Sequence, residues 1–228
     1  MNKKQAVIVA GGSGTRMGSS IPKQFLPVFG KPVLWHTVNT FLMSYEDMEI
    51  ILVLPKEHMK EAKAAIPDEY HRIVFVEGGR TRFHSVLNGL QYVSEESIVF
   101  VHDGVRCLLS TELIHRCYKA ALEKGNAVPA IKPVDSLRIE TATGNQTIDR
   151  NHVWAIQTPQ TFKGSLLLSA FQQEYEESFT DEASVVERLG VKINLVEGES
   201  HNIKITKPED LIMAENYLKN FSGQGRLL

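Results

Sequence analysis

The sequence predicts a single α/β domain of the Rossmann-like, three-layer kind, in which a mainly parallel twisted sheet carries a projecting β-hairpin arm. Two observations lead to this prediction. Short apolar runs rich in β-branched residues alternate with amphipathic segments through the first half of the chain, as in a parallel sheet with helices on both faces. Residues 135–150 then break the alternation with two polar, strand-like segments around a glycine turn, which is the pattern of a β-hairpin.

The composition is that of a globular protein. The 228 residues are 43% hydrophobic and 23% charged, which suffices for one domain with a sizeable core. A net charge of only -2 gives no reason to expect nucleic acid or an anionic membrane as a partner. The N-terminal apolar run is too short for a signal peptide or a membrane span, so we expect a cytoplasmic protein. Cys107 and Cys117 lack the spacing of a metal site and are expected to be buried thiols.

The first half of the chain alternates predicted strands and helices. Apolar runs predict strands at 6–10, 49–54, 73–76, 97–101 and 127–131. Apolar residues at helical spacing predict helices at 32–42, 56–66 and 81–93. Proline opens the first of these helices, at a position where its missing N–H costs nothing.

The second half is less regular. The hairpin at 135–150 is too polar to bury both of its faces within its own domain, so we expect an arm that projects toward a partner subunit. Helices are predicted at 162–175 and 180–189, strands at 192–196 and 202–206, and a frayed tail at 222–228. Thr206 and the acidic residues after it predict the start of a terminal helix.

A glycine-rich segment near the N-terminus is the strongest local signal. The first strand leads into Gly-Gly-Ser-Gly-Thr-Arg-Met-Gly at 11–18, and Pro-Lys-Gln-Phe-Leu follows at 22–26. Glycines let backbone N–H groups approach an anion, and Arg16 and Lys23 add two cations, so the composition predicts a phosphate site.

Glycines or a charged residue stand at the ends of three predicted strands. The Gly11 loop, the pair Gly78-Gly79 and Asp103 each follow an apolar run. Because chemistry in parallel sheets gathers at the carboxyl ends of the strands, we expect these three points to converge on one crevice.

Two common nucleotide-binding loops do not match the glycine segment. A P-loop has Lys-Ser or Lys-Thr directly after its last glycine, whereas Lys23 comes several residues later and is followed by Gln24. A dinucleotide loop has a third glycine where Met17 stands. A different type of nucleotide loop is therefore indicated.

Several motifs together resemble one enzyme family. The segments at 11–18 and 22–26 resemble the signature of nucleotidyltransferases of the sugar-nucleotide pyrophosphorylase type. The later motifs that narrow the resemblance are His-Asp-Gly-Val-Arg at 102–106, Asp-Arg-Asn at 149–151, Gln-Thr-Pro-Gln at 157–160, Thr-Asp-Glu-Ala-Ser at 180–184 and Asn-Ile-Lys-Ile-Thr at 202–206. With these, the whole chain resembles the 2-C-methyl-D-erythritol 4-phosphate cytidylyltransferase family. The resemblance implies one nucleotidyltransferase domain over residues 1–228.

This resemblance implies a reaction and its participants. CMP would pass from CTP to 2-C-methyl-D-erythritol 4-phosphate, releasing pyrophosphate and forming 4-diphosphocytidyl-2-C-methyl-D-erythritol in non-mevalonate isoprenoid precursor biosynthesis. Mg²⁺ or another divalent cation would be the cofactor. CTP and a polyol phosphate would be the small-molecule partners, and a homodimer joined through the 135–150 arm would be the assembly.

The resemblance also implies roles for individual residues. Three cations would act on the phosphates as catalytic residues: Arg16, Lys23 and Lys204. Six residues would bind the nucleotide: Ala10, Gly11, Gly12, Gly14, Gly79 and Ser85. Asp103 would position the metal. Six residues would bind the second substrate: Arg106, Ser136, Arg150, Thr158, Thr180 and Asp181. Of these, Arg150 would be presented to the neighbouring subunit's site.

Some positions depart from the family pattern. Gly104, Val105 and Cys107 stand where the family commonly has two alanines and a proline. Arg80 follows the paired glycines where an acidic residue is often found, and Ser136 replaces a threonine while keeping its hydroxyl. The loop shapes and the contact to the base are therefore expected to differ in detail.

Two other functions remain open on the sequence. Ribitol-5-phosphate cytidylyltransferase shares the glycine loop and the segment bearing Lys204, although the motifs at 149–150 and 180–184 favour methylerythritol phosphate. A non-catalytic nucleotide-binding regulatory protein is the alternative from another class. Binding alone would not need every charged group that surrounds the reacting phosphate, so the presence of Arg16, Lys23, Asp103 and Lys204 together favours an enzyme.

Overall fold

Twelve strands and seven α-helices are present in the computed structural model, which describes residues 2–12, 21–66 and 71–221. The strands are β1 (Lys4–Val9), β2 (Pro27–Val28), β3 (Lys31–Pro32), β4 (Met48–Leu54), β5 (Ile73–Glu77), β6 (Ile98–Asp103), β7 (Asn126–Ile131), β8 (Leu137–Thr141), β9 (Gly144–Ile148), β10 (Ala155–Ile156), β11 (Gln160–Lys163) and β12 (Leu195–Glu197). The helices are α1 (Val33–Ser44), α2 (Met59–Ala65), α3 (Arg82–Leu90), α4 (Thr111–Lys124), α5 (Gly164–Ala170), α6 (Glu182–Glu187) and α7 (Pro208–Phe221).

One eight-stranded sheet forms the centre of the fold. Its order is β10-β7-β11-β6-β1-β4-β5, with β12 paired to β7. The pairs β1–β4, β1–β6, β4–β5 and β7–β12 are parallel, whereas β11 runs antiparallel to both β6 and β7. The predicted mainly parallel sheet is thereby confirmed, with an antiparallel strand inserted in its second half.

Helices cover both faces of this sheet. Side chains of a strand alternate between its two faces: Ala6 and Ile8 pack with residues of α1, α2 and α4, and Val7 packs on the other side with residues of α3, α5 and α6. The three-layer architecture predicted from the alternating pattern is confirmed. None of the helices in the described part of the chain is long and apolar enough to cross a membrane.

The parallel register brings the important strand ends side by side. Val9 lies opposite Val53 on one side and Asp103 on the other, and Leu54 lies opposite Glu77. The residues that follow β1, β4, β5 and β6 therefore share one edge of the sheet. A crevice opens at this edge.

The predicted arm forms a separate two-stranded hairpin. In the described residues β8 pairs with β9 and with no other strand. Gly144 has φ 139°, a backbone conformation that favours glycine. Residues 138–147 are exposed along both strands, which agrees with the polar pattern that predicted the hairpin.

Two sequence predictions about the second half were wrong, and a third had shifted bounds. Phe162 was predicted in a helix, but it lies in β11, and the helix is confined to Gly164–Ala170, because pairing with β6 and β7 outweighs local propensity. Residues 202–206 were predicted as a strand, yet they form an irregular segment, linked to Val105 by the N–H of Ile205 at 3.0 Å. The strand predicted at 192–196 is β12, shifted toward the C-terminus.

Helix α4 was absent from the sequence prediction. Its two ends carry clear signals: the Ser110 hydroxyl caps the first turn, and Gly125, with φ 90°, ends the helix. Cys117 in this helix and Cys107 before it are buried, as predicted, and burial raises the pKa of each thiol to about 12. The predicted tail at 222–228 lies outside the described residues.

Candidate active site

A cavity of about 460 Å³ lies at the carboxyl edge of the parallel strands. It brings together eight of the predicted site residues: Ala10, Gly11, Gly12, Lys23, Gly79, Ser85, Asp103 and Lys204. The predicted convergence of the Gly11 loop, Gly78-Gly79 and Asp103 on one crevice is confirmed. Two other predicted residues, Gly14 and Arg16, lie outside the described residues.

Hydrogen bonds from residues distant in the sequence hold the cavity wall that is formed by the residues following β1. Ala10 donates its N–H to the Val53 carbonyl at 2.8 Å. Gln24, which is fully buried, donates from Nε2 to the Ala10 carbonyl at 3.0 Å. Lys23 Nζ donates to the Ile205 carbonyl at 2.8 Å. Lys23 is therefore fixed at the cavity by its neighbour Gln24 on one side and by the irregular segment on the other.

The side after β5 is a tight loop built on Gly79. The Gly79 N–H donates to Ser85 Oγ at 3.1 Å, and Ser85 Oγ donates to the Thr81 carbonyl at 3.0 Å. A Cβ on Gly79 would overlap His84, lying 2.8 Å from its backbone carbon. Only glycine therefore fits this position, and Ser85 holds the loop in shape.

Asp103, at the end of β6, lies among three cations. Its Oδ1 is 3.3 Å from Arg82 Nε, and its Oδ2 is 3.0 Å from Lys204 Nζ and 3.5 Å from Arg106 Nε. Burial raises the pKa of this carboxyl, but the nearby Arg82, Lys204 and Arg106 outweigh burial and hold the pKa well below its usual range. Asp103 is therefore ionised at any physiological pH.

Beneath Asp103 a chain of buried hydrogen bonds defines the proton positions. The Asp103 N–H donates to Thr158 Oγ1 at 3.1 Å, Thr158 Oγ1 lies 2.9 Å from His102 Nδ1, and His102 Nε2 lies 3.1 Å from the Arg106 carbonyl. A carbonyl can only accept, so Nε2 carries the proton and the Thr158 hydroxyl donates to Nδ1. Burial lowers the pKa of His102 to about 3, so the imidazole stays neutral and works as a structural link.

The irregular segment 202–206 organises the opposite wall. The Asn202 carbonyl accepts from Arg106 Nη1 at 2.8 Å, and Asn202 Nδ2 donates to the Thr158 carbonyl at 2.9 Å. Lys204 and the carbonyl of Ile205 follow directly, the first facing Asp103 and the second holding Lys23. One short segment therefore positions both described lysines of the predicted catalytic set.

Sequence reasoning missed two charged residues in this cluster. Arg82 Nη1 and Nη2 donate to Glu182 Oε1 and Oε2, the second at 3.1 Å. Burial lowers the pKa of Arg82, but the adjacent Glu182 and Asp103 outweigh burial and raise it. The signals were present: Arg82 follows closely on Gly79, and Glu182 lies in the motif at 180–184.

The residues predicted to bind the second substrate are dispersed in this chain. Thr158 is buried, and Asp181 caps α6 by accepting from the Ser184 N–H at 2.9 Å. Ser136 and Arg150 are exposed on the arm, where Arg150 Nη1 donates to the Val134 carbonyl. Thr180, exposed beside Asp181, adjoins a small recess next to Arg82. Arg106 alone of this set lies in the cation cluster, and the arm residues do not line the cavity.

The donor atoms suit a metal that arrives with a phosphate. Among residues 2–12, 21–66 and 71–221 no group of three His, Cys, Asp or Glu side chains could hold a metal ion. Mg²⁺ in phosphate-transfer sites is commonly held by one or two carboxylates together with substrate phosphates. Asp103 offers one such carboxylate at the cavity, so the site fits a divalent cation that takes its other ligands from a triphosphate.

Comparison with known proteins gives consistent results over almost the whole chain. The family profile described as IspD, 2-C-methyl-D-erythritol 4-phosphate cytidylyltransferase, matches residues 5–220. The chain is similar to proteins of that name from Phocaeicola vulgatus, 49% identical over 93% of this chain and 98% of the relative, and from Bacteroides fragilis, 46% identical over 94% and 99%.

Solved structures show the same likeness. The 4-diphosphocytidyl-2C-methyl-D-erythritol synthase from Anaerococcus prevotii matches with a TM-score of 0.82 at 32% identity, over 96% of this chain and 99% of that one. The 2-C-methyl-D-erythritol 4-phosphate cytidylyltransferase from Thermus thermophilus matches with a TM-score of 0.72 at 32% identity, over 93% and 98%. The fold described above is thus common to these enzymes.

Proposed function

The chain belongs to the 2-C-methyl-D-erythritol 4-phosphate cytidylyltransferase family, and we propose that its cavity transfers CMP from CTP to 2-C-methyl-D-erythritol 4-phosphate in isoprenoid precursor biosynthesis. The observation that carries this proposal is the meeting of the glycine loop, Lys23, Asp103 and Lys204 in one cavity at the carboxyl edge of the sheet. Fixed cations beside backbone N–H groups are what a triphosphate requires.

The reaction needs charge stabilisation more than a reactive side chain. A phosphate oxygen of the polyol substrate attacks the α-phosphorus of CTP, a new P–O bond forms, and the bond to the β-phosphate breaks as pyrophosphate leaves. Lys23 and Lys204 neutralise the charge that develops on the transferring and departing groups, and we assign Arg16 to the same role. Lys23 is already held by the Ile205 carbonyl, so it needs little reorganisation during the reaction, whereas Lys204 exchanges Asp103 for phosphate oxygens.

Nucleotide binding is assigned to the two glycine loops. The loop after β1, with Gly11, Gly12 and Gly14, would hold the phosphates. The tight loop of Gly79 and Ser85, together with the backbone near Ala10, would present groups to the cytosine, a role supported by the absence of room for any side chain at Gly79.

A divalent cation, Mg²⁺ by preference, is assigned to Asp103. When bound, this metal would supply further neutralisation of the phosphate charge. Asp103 contributes the protein carboxylate, and its ion pair with Lys204 would loosen as phosphate oxygens take over the lysine.

The second substrate is assigned to Arg106 in this subunit and to the arm of another. Ser136 and Arg150 are exposed and lie outside the cavity of their own chain. Val134 beside them is 86% exposed and Trp154 is 42% exposed, as expected for surfaces that are covered in an assembly. We therefore assign a homodimer in which each 135–150 arm completes the site of its partner, with Thr158, Thr180 and Asp181 shaping the near side.

The assay that tests this function follows pyrophosphate release. Purified protein with CTP and Mg²⁺ is expected to release pyrophosphate when 2-C-methyl-D-erythritol 4-phosphate is added. Release with ribitol 5-phosphate alone would reassign the substrate. Tight CTP binding without turnover on either polyol phosphate would contradict an enzymatic role.

The two lysines give the first quantitative prediction. Lys23→Ala and Lys204→Ala each remove one preorganised cation and are expected to lower kcat by about 10²–10³-fold, as measured by the same pyrophosphate assay. Lys207→Ala is the matched control, because Lys207 is an exposed lysine of the neighbouring segment. Equal activity of K204A and K207A would contradict the role of Lys204.

A further inference from the structure

Glu182 is a buried carboxylate to which the mechanism above gives no task. It is the first residue of α6, and its side chain is only 1% exposed. Both of its oxygens accept from Arg82, Oε1 from Nη1 and Oε2 from Nη2. Two parallel N–H···O bonds fix the plane and the direction of a guanidinium as well as its position. The Arg82 head group is thereby held in one orientation.

The backbone that carries Glu182 is itself anchored. Asp181 caps α6, and its Oδ2 accepts from Gln160 Nε2 at 2.8 Å. Gln160 Oε1 in turn accepts the Ala183 N–H at 2.8 Å. Strand β11, to which Gln160 belongs, pairs directly with the strand of Asp103. Glu182 is therefore tied to the sheet on which the reaction takes place.

The orientation of Arg82 leaves one donor for Asp103. Arg82 Nε points to Asp103 Oδ1 at 3.3 Å, whereas Oδ2 of the same carboxylate is 3.0 Å from Lys204. The Lys204 side chain is 42% exposed and that of Arg82 is 29% exposed. A lysine in this position can turn to an incoming phosphate, whereas an arginine held by two bonds to a buried glutamate cannot.

We propose that Arg82 and Glu182 form a positioning pair, which holds Oδ1 of Asp103 in place so that Oδ2, on release from Lys204, can face the divalent cation assigned to it. This inference rests on the proposed role of Asp103. Glu182 acts only through Arg82. It also balances charge, because three cations (Arg82, Arg106 and Lys204) would otherwise surround a single carboxylate.

Two conservative variants test the pair in different ways. Glu182→Gln keeps the size of the side chain but removes its charge and one of its two acceptors. Arg82→Lys keeps the positive charge but loses the fork that reaches both carboxylates. The matched control is Glu187→Gln, which makes the same substitution at an exposed glutamate of the same helix.

Turnover and binding are measured separately from folding. Both E182Q and R82K are expected to lower kcat by about 10–100-fold, the usual effect of losing a partner that orients a functional side chain. The affinity for CTP, measured by calorimetry without Mg²⁺ and without the second substrate, should stay close to wild type, because the glycine loop, Gly79 and Ser85, to which nucleotide binding is assigned, are unchanged. E187Q is expected to keep the wild-type Tm and kcat. A wild-type kcat in E182Q and R82K, or a loss no greater than in E187Q, would overturn the positioning pair.

Asp103→Asn separates this inference from the function it rests on. An inactive D103N together with fully active E182Q and R82K would overturn the pair alone. A fully active D103N would overturn the role of Asp103, and with it the pair. Failure of the unaltered protein to release pyrophosphate from CTP and 2-C-methyl-D-erythritol 4-phosphate would instead overturn the proposed function.

Discussion

Thr158 makes hydrogen bonds inside the protein that go beyond the substrate-binding role implied by the family resemblance. Its hydroxyl accepts from the backbone N–H of Asp103 and donates to His102 Nδ1, while its carbonyl accepts from Asn202. The hydroxyl and the backbone carbonyl of Thr158 are therefore both used inside the protein. A residue that the family resemblance associates with substrate here also fixes the backbone of Asp103.

Removal of this hydroxyl should affect both stability and turnover. Thr158→Val keeps the shape of the side chain but leaves the Asp103 N–H and His102 Nδ1 unpaired in the interior. The expected loss of unfolding free energy is about 1–3 kcal/mol, measured by denaturant unfolding, and kcat should fall because Asp103 is displaced.

Thr158→Ser is the control for this experiment, since it restores the hydroxyl. Recovery of both stability and kcat in T158S would support the hydrogen-bonded chain. If T158V were as stable as the wild type, the chain of bonds through His102 would not be formed.

At the scale of elements, short irregular segments hold part of the site, whereas Asp103 lies at the end of strand β6. The loop after β5 places Gly79, and residues 202–206 place Lys204 and anchor Lys23. These segments have few backbone partners of their own and depend on side chains such as Ser85 and Asn202 to hold them. Their conformation is therefore sensitive to single substitutions.

The Gly79 loop offers a direct test at this scale. In Gly79→Ala the new Cβ would overlap His84, so the loop and the start of α3 must shift. We expect a stability loss of about 1–3 kcal/mol, typical of overpacking, and a raised Kd for CTP measured by calorimetry. A folded G79A protein with wild-type CTP affinity would contradict the assignment of this loop to the nucleotide.

At the scale of the whole molecule, the arm forms no strand pair with the rest of the described chain. Its two strands pair with each other, and Ile139 on the arm is 48% exposed. Trp154, next to the base of the arm, lies under Lys132 Nζ at 3.8 Å from the ring centroid. An exposed hairpin with apolar positions needs a partner surface, and a second copy of the chain is the one we propose.

Subunit mixing tests the contribution of the arm. Arg150→Ala and Lys23→Ala should each be inactive as homodimers if Arg150 serves the neighbouring site. In a mixed dimer one site receives an intact Lys23 and an intact Arg150, so random exchange should restore about one quarter of the sites. The mixture is assayed for pyrophosphate release after exchange has been verified by sedimentation of tagged subunits.

The control replaces the K23A partner with a K23A/R150A double variant, which cannot supply an arginine and should restore nothing. If K23A and R150A subunits exchange without any return of activity, Arg150 does not act across the interface.

Much of the fold could be predicted because its signals are local. Alternating apolar runs indicated β1, β4, β5, β6 and β7, and glycines marked the loops that follow β1 and β5. Prediction failed where distant pairing decided the outcome. Gln160–Lys163 is a strand because β6 and β7 lie on either side of it, and Arg82 contacts a carboxylate 100 residues away.

The amino-acid sequence alone determined the parallel sheet, the crevice at its carboxyl edge and the family to which the chain belongs, because hydrophobic periodicity and short motifs are written in adjacent residues. Tertiary structure decided which groups surround Asp103, how His102 and Thr158 share their protons, and that Glu182 directs Arg82. These features depend on side chains that meet only after the strands have paired. No periodicity within a single segment can report them.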